Sequence, residues 1–348
     1  MRYLAAAKLI WCLALLLPVV AIVSLSMGTV SIPLSQIIQT LFSAVIGVDE
    51  STQINNIILD IRLPRILLAL LVGAILAALG TVMQGLFRNP LADPSLIGVS
   101  GGASVGASVV IVLVGGSMVS PLAGLSLISF GAFIGGVIST LVVYRVATSS
   151  LGTSVTTMLL AGIAIGAIAG AFNSLLSYFS DNQMLRQISV WQMGNLGGAN
   201  WLKVSIMLAI SALLLCILPA QAKSLNALLL GESEARHLGI DVQKVKLKLI
   251  FLTALGVGVS VALAGLIGFV GLIIPHMIRL LIGPDHRWLL PATTLAGASL
   301  LMIADSIARV VVLPAELPTG ILTALLGAPF FIGLLIRQRT GVSDVDSG

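Results

Sequence analysis

Charge is what this sequence has least of. Asp, Glu, Lys and Arg make up 9% of its 348 residues, hydrophobic residues make up 58%, and the mean hydropathy is +1.13. A soluble domain carries about 25% charged residues, so this composition cannot cover a water-facing surface and fits a polytopic membrane protein. Cysteine is nearly absent. Cys12 and Cys216 both sit inside apolar runs, which makes them packing residues rather than a disulfide or a metal pair. There is no Gly-Lys dipeptide, and a phosphate-cradling P-loop requires one; if ATP drives this protein, another chain binds the nucleotide. H-E-x-x-H and paired-acid motifs are missing as well, and a serine nucleophile elbow is not expected.

Acids are also missing from the middle of the apolar runs. An ion-coupled secondary transporter would place some there, but here they lie in loops and near span ends, and Asp305 comes closest. Asp305 precedes Arg309 by four residues, about one helical turn, and reads as half of a structural pair. A membrane-embedded enzyme would need a convergent acid, histidine or metal cluster, and none is visible. His237 and His286 fall in connecting loops, where they are expected to be solvated. His276 follows Pro275 in an apolar stretch and is expected to be a hydrogen-bonded structural histidine rather than a metal ligand.

What the chain has is apolar length. A spanning helix needs about 20 mostly apolar residues, and such stretches fall near 9–27, 66–87, 95–115, 122–144, 154–178, 202–221, 249–265, 268–282, 288–308 and 318–336. The first, behind Arg2 and Lys8, reads as an uncleaved span, since no small-residue cleavage site and polar mature domain follow it. Only Gly265, Gly268, Gly271 and Pro275 divide the stretch between 249 and 282; one long helix there would leave nine spans. With ten spans and an inner N-terminus, thirteen Lys and Arg fall inside and five outside: Arg62, Arg65, Arg186, Lys203 and Arg309. That bias follows the positive-inside rule, so the net charge of +5 reports orientation rather than nucleic-acid binding. The expected organisation is one membrane domain, residues 1–340, with a polar, disordered tail at 341–348.

Two kinds of local signal stand out. Gly162, Gly166 and Gly170 recur every four residues on one helix face, and Gly131 and Gly135 repeat the spacing; small residues so placed serve either tight helix packing or a smooth path at an interface. The other signal is interruption. RNPLADPSLIGVSGGA, Arg88 to Ala103, breaks an uncharged run with two prolines, which deny it a continuous helix. LLLGESEARHLGID, Leu228 to Asp241, holds a short helical stretch bracketed by Gly231 and Gly239, with its acids early and Arg236 and His237 late, as the helix dipole favours. It lies in a connection of about 27 residues, longer than a simple turn requires, and is either an ordinary interfacial helix or a docking knob for a partner.

Those two stretches, together with GLIGFVGLIIPHMIR (Gly265 to Arg279) and AELPTGILTALLGAPFFIGLL (Ala315 to Leu335), resemble the hallmarks of FecCD-type permeases. These are the membrane subunits of ABC importers for iron-siderophores, haem and cobalamin, and the resemblance runs from about Ile61 to Arg337. It implies an all-α fold of ten transmembrane helices per subunit, a homodimer with the pathway on its axis, and a bacterial inner-membrane location with both termini cytoplasmic. Two cytoplasmic ATPase subunits carrying ATP and magnesium would dock below and a substrate-binding protein above. No cofactor would be bound by this chain, and no nucleic acid; membrane lipid would surround it.

Carried over by position, Gly231, Glu232, Glu234, Ala235, Arg236, His237, Leu238 and Gly239 would form the coupling segment seated in the ATPase. Asn89 and Leu91 would stand at a cytoplasmic gate, with Val155 and Thr156, in the stretch from Ser154 to Thr157, at a second gate region. Arg62, Arg65 and Arg309 would receive glutamates of the binding protein. Gly162, Gly166 and Gly170 are candidates for lining the pathway. The segment SDNQMLRQISVWQMGNLGGANW, Ser180 to Trp201, looks most like that of haem permeases, although Trp191, Met193 and Trp201 could equally be interfacial anchors. Haem is therefore favoured as cargo over a ferric siderophore, with cobalamin behind. Met184, Met193 and His276 are not assigned as axial ligands, since tight ligation would trap a passing haem.

Overall fold

The computed structural model describes residues 2–46, 53–114, 121–149 and 152–343, almost all of them helical. Helices α1 (Arg2–Ser26) and α2 (Leu34–Ile46) precede α3 (Gln53–Asn56), which runs through a π-helical stretch, Ile57–Arg62, into α4 (Leu63–Leu86). A 3-10 turn, Pro94–Ile97, leads into α5 (Val99–Val114). Helices α6 (Pro121–Ala147) and α7 (Val155–Tyr178) are joined by a minimal antiparallel pair, β1 (Thr148–Ser149) and β2 (Gly152–Thr153), with Thr148 opposite Thr153. The remainder is α8 (Asn182–Gln192), α9 (Trp201–Ile217), α10 (Ala222–Leu230), α11 (Glu232–His237), α12 (Val242–Ala264), α13 (Val270–Ile282), α14 (His286–Ala308) and α15 (Thr319–Ser343).

Seven helices are long and apolar enough to cross a membrane, and three shorter apolar ones, Val99–Val114, Val270–Ile282 and Thr319–Gly333, bring the described set to ten. These fall on the ten expected stretches. The doubtful pair is two helices: α12 ends at Gly265, whose φ of +73° suits glycine, and α13 begins after Phe269. Pro275 lies inside α13 and does not divide it. At its other end α12 starts at Val242, seven residues before the expected 249, because Asp241 caps it by accepting from the Lys244 N–H at 3.1 Å. The polar tail is corrected in part, since α15 continues to Ser343; residues 344–348 lie outside the described residues.

α4 is the hub, with α9, α12, α13 and α14 packed around it. Gly73 of α4 lies against the Gly297 carbonyl of α14, where a Cβ would overlap it. Gly131 and Gly135 of α6 meet Gly106 and Gly102 of α5 backbone to backbone, so this pair serves tight packing. Contacts between helix termini sort to two ends of the bundle. At one, Arg65 of α4 meets Asp305 of α14, and the Asn195 N–H donates to the Ala264 carbonyl at 2.8 Å. At the other, Asn226 of α10 meets His286 of α14, and Thr153 meets α12. His286 is thereby corrected from solvated to fully buried: its Nδ1 lies 2.8 Å from Asn226 Oδ1, which also accepts the His286 backbone N–H at 2.9 Å.

Candidate functional site

The short helix α11 occupies the space between its two glycines. Gly231 (φ +125°) and Gly239 (φ +81°) take conformations that suit glycine. The exit is a Schellman motif: the Ile240 N–H donates to the Ala235 carbonyl at 3.0 Å and the Gly239 N–H to the Arg236 carbonyl at 2.9 Å. Ala235 is buried, while Ser233, Glu234, Arg236, His237 and Leu238 are exposed. The result is a knob with one small inward residue and an outward face of mixed charge, topped by the 64% exposed Leu238. Glu232 faces inward, its Oε1 2.6 Å from Nζ of the buried Lys246 on α12.

Beside the knob lies the interrupted stretch after α4. Arg88, exposed, adopts a left-handed conformation (φ +49°). Asn89 is half-buried, and its Oδ1 accepts the Leu91 N–H at 2.9 Å, a local turn that holds Leu91. Asp93 caps the 3-10 turn by accepting from the Ser95 N–H at 2.8 Å. Burial pushes its carboxyl above the usual range, against the lowering effect of that hydrogen bond. The capped turn packs against α7, so the two expected gate regions share one end of the bundle. Ser154 caps α7, accepting from the Thr157 N–H at 3.3 Å; Val155 is half-buried and Thr156 exposed.

Between α5 and α7 runs an open groove of about 590 Å³, lined by Ser100, Ser104, Gly166, Gly170 and Asn173 among others. Gly162 is buried, but nothing lies within 4 Å of where a Cβ would stand on Gly166 or Gly170. Two of the three repeated glycines thus face a space that the described residues leave empty. The groove wall also carries the G-x-S-x-G spacing, which occurs twice, at 98–102 and 102–106. It is no nucleophile elbow, because a 3-10 turn rather than a strand leads into α5 and the Ser104 hydroxyl is held at 2.9 Å by Asn173.

At the opposite end stand the three arginines matched to a docking surface, and all three are buried. Arg62, Arg65 and Arg309 are 5%, 5% and 3% exposed. Arg65 grips Asp305 at 3.0 Å and Glu316 at 2.6 Å. Arg309 pairs with Asp305 at 3.2 Å and donates to Ser24 of α1 and to Met27 just after it, while Arg62 donates to the carbonyls of Leu25 and Val30. Buried guanidiniums must be matched inside the protein, and Asp305 serves two of them. The expected Asp305–Arg309 pair is therefore present but is part of a larger cluster joining α1, α4, α14 and the loop before α15. Sequence reading missed Glu316 and the inward turn of all three arginines, since an arginine at a span end gives no sign of which side faces protein.

The segment 180–201 forms α8 and its flanks, with Asp181 capping by accepting the Met184 N–H at 2.8 Å. Gln183, Arg186, Gln187, Trp191 and Lys203 line a cavity of about 330 Å³. Met193 and Trp201 are 43% and 47% exposed. His276, expected to be hydrogen-bonded, is corrected: its buried Nδ1 has no partner among the described residues, and the ring packs edge-on to Phe330. No group of three or more His, Cys, Asp or Glu able to hold a metal occurs among the described residues.

Comparison with known proteins gives this architecture a place. The model of the FecCD transport family matches residues 16–337. The chain belongs to the FecCD transport family. It is 46% identical over 330 residues, 94% of its length and 95% of the relative's, to the hemin transport system permease HmuU of Yersinia pestis. It is 48% identical over 280 residues, 80% of its length and 83% of the relative's, to the vitamin B12 import system permease BtuC of Escherichia coli. Among solved structures, an inward-facing transporter described as of the metal-chelate ABC type matches at a TM-score of 0.81 with 36% identity, covering 95% of this chain and 99% of that one. PsaBC of Streptococcus pneumoniae, at 19% identity, a TM-score of 0.54 and coverage of 84% of this chain, shares the fold. The protein is a multi-pass permease subunit of an ABC importer.

Proposed function

We propose that two copies of this chain form the inner-membrane pathway of a haem importer, driven by ATP hydrolysis on separate cytoplasmic subunits. The observation that carries the reading is α11: an exposed six-residue knob between α10 and α12, closed at each end by a glycine in a positive-φ conformation. Such a rigid projection fits the groove of a partner, and the sequence, lacking a P-loop, leaves nucleotide chemistry to that partner. The uncovered face of Gly166 and Gly170 suits a second copy across the groove, with Asn89, Leu91, Val155 and Thr156 closing it below. Both termini then lie in the cytoplasm.

Docking of a binding protein at the opposite end takes a form the sequence did not suggest. Arg65 already holds Glu316, which is 39% exposed, so a partner's glutamate would replace Glu316 on Arg65 rather than meet a bare cation. Bidentate carboxylate recognition suits this exchange. Haem is the preferred cargo because the match to the hemin permease extends over 330 residues. Cobalamin is the second reading, supported by 48% identity over 280 residues to the vitamin B12 permease, and a ferric siderophore the third. Proteoliposomes holding this chain with its ATPase and binding protein, offered haem, cobalamin and a ferric siderophore in turn, test the assignment. ATP-dependent haem uptake is expected; accumulation against a gradient by this chain alone would overturn it.

A further inference from the structure

Lys246 is one of three lysines at alternate positions in VQKVKLKL, and the only one of the three that turns inward: its side chain is 3% exposed. Its ammonium is held between two elements. Nζ lies 2.6 Å from Glu232 Oε1 on α11 and donates to the Thr153 carbonyl at 3.1 Å. One turn earlier on α12, Gln243 Oε1 accepts the Thr153 N–H, also at 3.1 Å. Both backbone groups of Thr153 are therefore gripped from α12, and the next residue, Ser154, is the cap of α7. A buried ammonium has a strong requirement for its partners, so Glu232 and Thr153 cannot drift apart without leaving it unmatched. α12 is itself packed into the bundle, which makes the joint a pivot between the docking knob and the N-terminal end of α7.

We propose that Lys246 is the positioning residue that carries displacement of α11 to the N-terminal end of α7, so that movement of the docked ATPase shifts Val155 and Thr156. The inference rests on the importer reading above. Its test uses the complete complex in proteoliposomes, measuring haem uptake and ATP hydrolysis together for wild type, Lys246→Met, Lys246→Gln and Lys246→Arg, with amide hydrogen exchange across residues 153–158 in the purified permease. Lys246→Met is expected to keep ATPase assembly and hydrolysis within twofold, lower uptake per ATP at least tenfold, and speed exchange at 153–158. Lys246→Arg, which keeps the charge and its donors, should recover part of the ratio. If Lys246→Met does not assemble, Lys246→Gln, which can still donate to Thr153 but cannot neutralise Glu232, is read on the same ratio. An unchanged ratio, or uptake and hydrolysis falling in parallel, overturns the proposal. A wild-type complex that fails to transport any of the three cargoes overturns the importer reading itself, and this inference with it.

Discussion

α4 and α7 are both 24 residues long, both strongly apolar, and differently used. In the most apolar window of each span, 83% of the residues are buried for the one containing α4 and 22% for α7. The difference lies in what surrounds them. α4 is wrapped by α9, α12, α13 and α14, whereas α7 packs mainly on α5 and α6 and leaves Leu160, Ile163, Ile168, Phe172 and Leu175 exposed. Hydropathy cannot distinguish these cases, because a side chain facing lipid, a second subunit or the chain's own core satisfies the same apolar rule. Glycine context does distinguish them: Gly73 of α4 has another backbone against it, and Gly166 of α7 has open space.

The contrast can be broken most severely at the charge cluster that fastens the first turn of α4. Asp305→Ala removes the carboxylate shared by Arg65 and Arg309, leaving the buried Arg309 without a counter-ion and Arg65 with Glu316 alone, a loss of about 3–5 kcal/mol. The variant should not be recovered as a monodisperse protein in detergent, as size-exclusion chromatography will show. Next in size, Gly73→Val forces a side chain into the Gly297 backbone and should cost about 1–3 kcal/mol, read as a lowered Tm of the purified permease. Gly166→Val on α7 sharpens the comparison. Its destabilisation, read from the same melt, should stay within about 0.5 kcal/mol, while uptake by the assembled transporter falls, because the added group enters the groove. Equal destabilisation by the two valines would show that α7 is already packed.

Smaller effects are expected at the end where α4 stops. Asp93→Ala loses the cap on Ser95 and should cost about 0.5–2 kcal/mol in a melting experiment. The Asp93 carboxyl is raised in the fold by burial, so the folded protein favours its protonated form; its contribution is present below the unfolded value and is lost as pH rises through the raised one. Asp93→Asn keeps the oxygen acceptor and should flatten that decline in a Tm-against-pH series. Smallest is Arg236→Ala on α11. Its contact with Glu232 is 3.8 Å and exposed, and exposed pairs are worth about 0–1 kcal/mol; the isolated permease should melt unchanged while ATPase binding, measured by pull-down, weakens.

Span number and the limits of α11 were legible because apolar length, glycine position and caps are local properties. The break after Ala264 was legible only as a possibility, since Gly265 and Gly268 permit a turn without requiring one. The early start of α12 was missed because Lys244, Lys246 and Lys248 read as loop charge, though residues two apart on a helix point some 200° apart, and one of the three was bound to differ from its neighbours. His286 was placed correctly along the chain and wrongly in exposure, and Arg65 gave no sign of its two acidic partners. The partners in question, Asn226 for His286 and Asp305 and Glu316 for Arg65, are 60, 240 and 251 residues away, and no local pattern carries that information. The two stretches expected to form gates lie at one end of the bundle, but the contacts of Lys246 with Glu232 and Thr153 beside them are tertiary and the sequence does not display them.

The 240 residues separating Arg65 from Asp305 have a consequence for how the molecule is made. During translation the arginine leaves the ribosome long before its counter-ion exists, and most of the helices must enter the bilayer while that cation is still waiting at the interface. The N-terminal half cannot settle into its finished arrangement until the ninth span arrives. A nascent chain stopped short of that point lacks the acid that Arg65 holds in the finished fold.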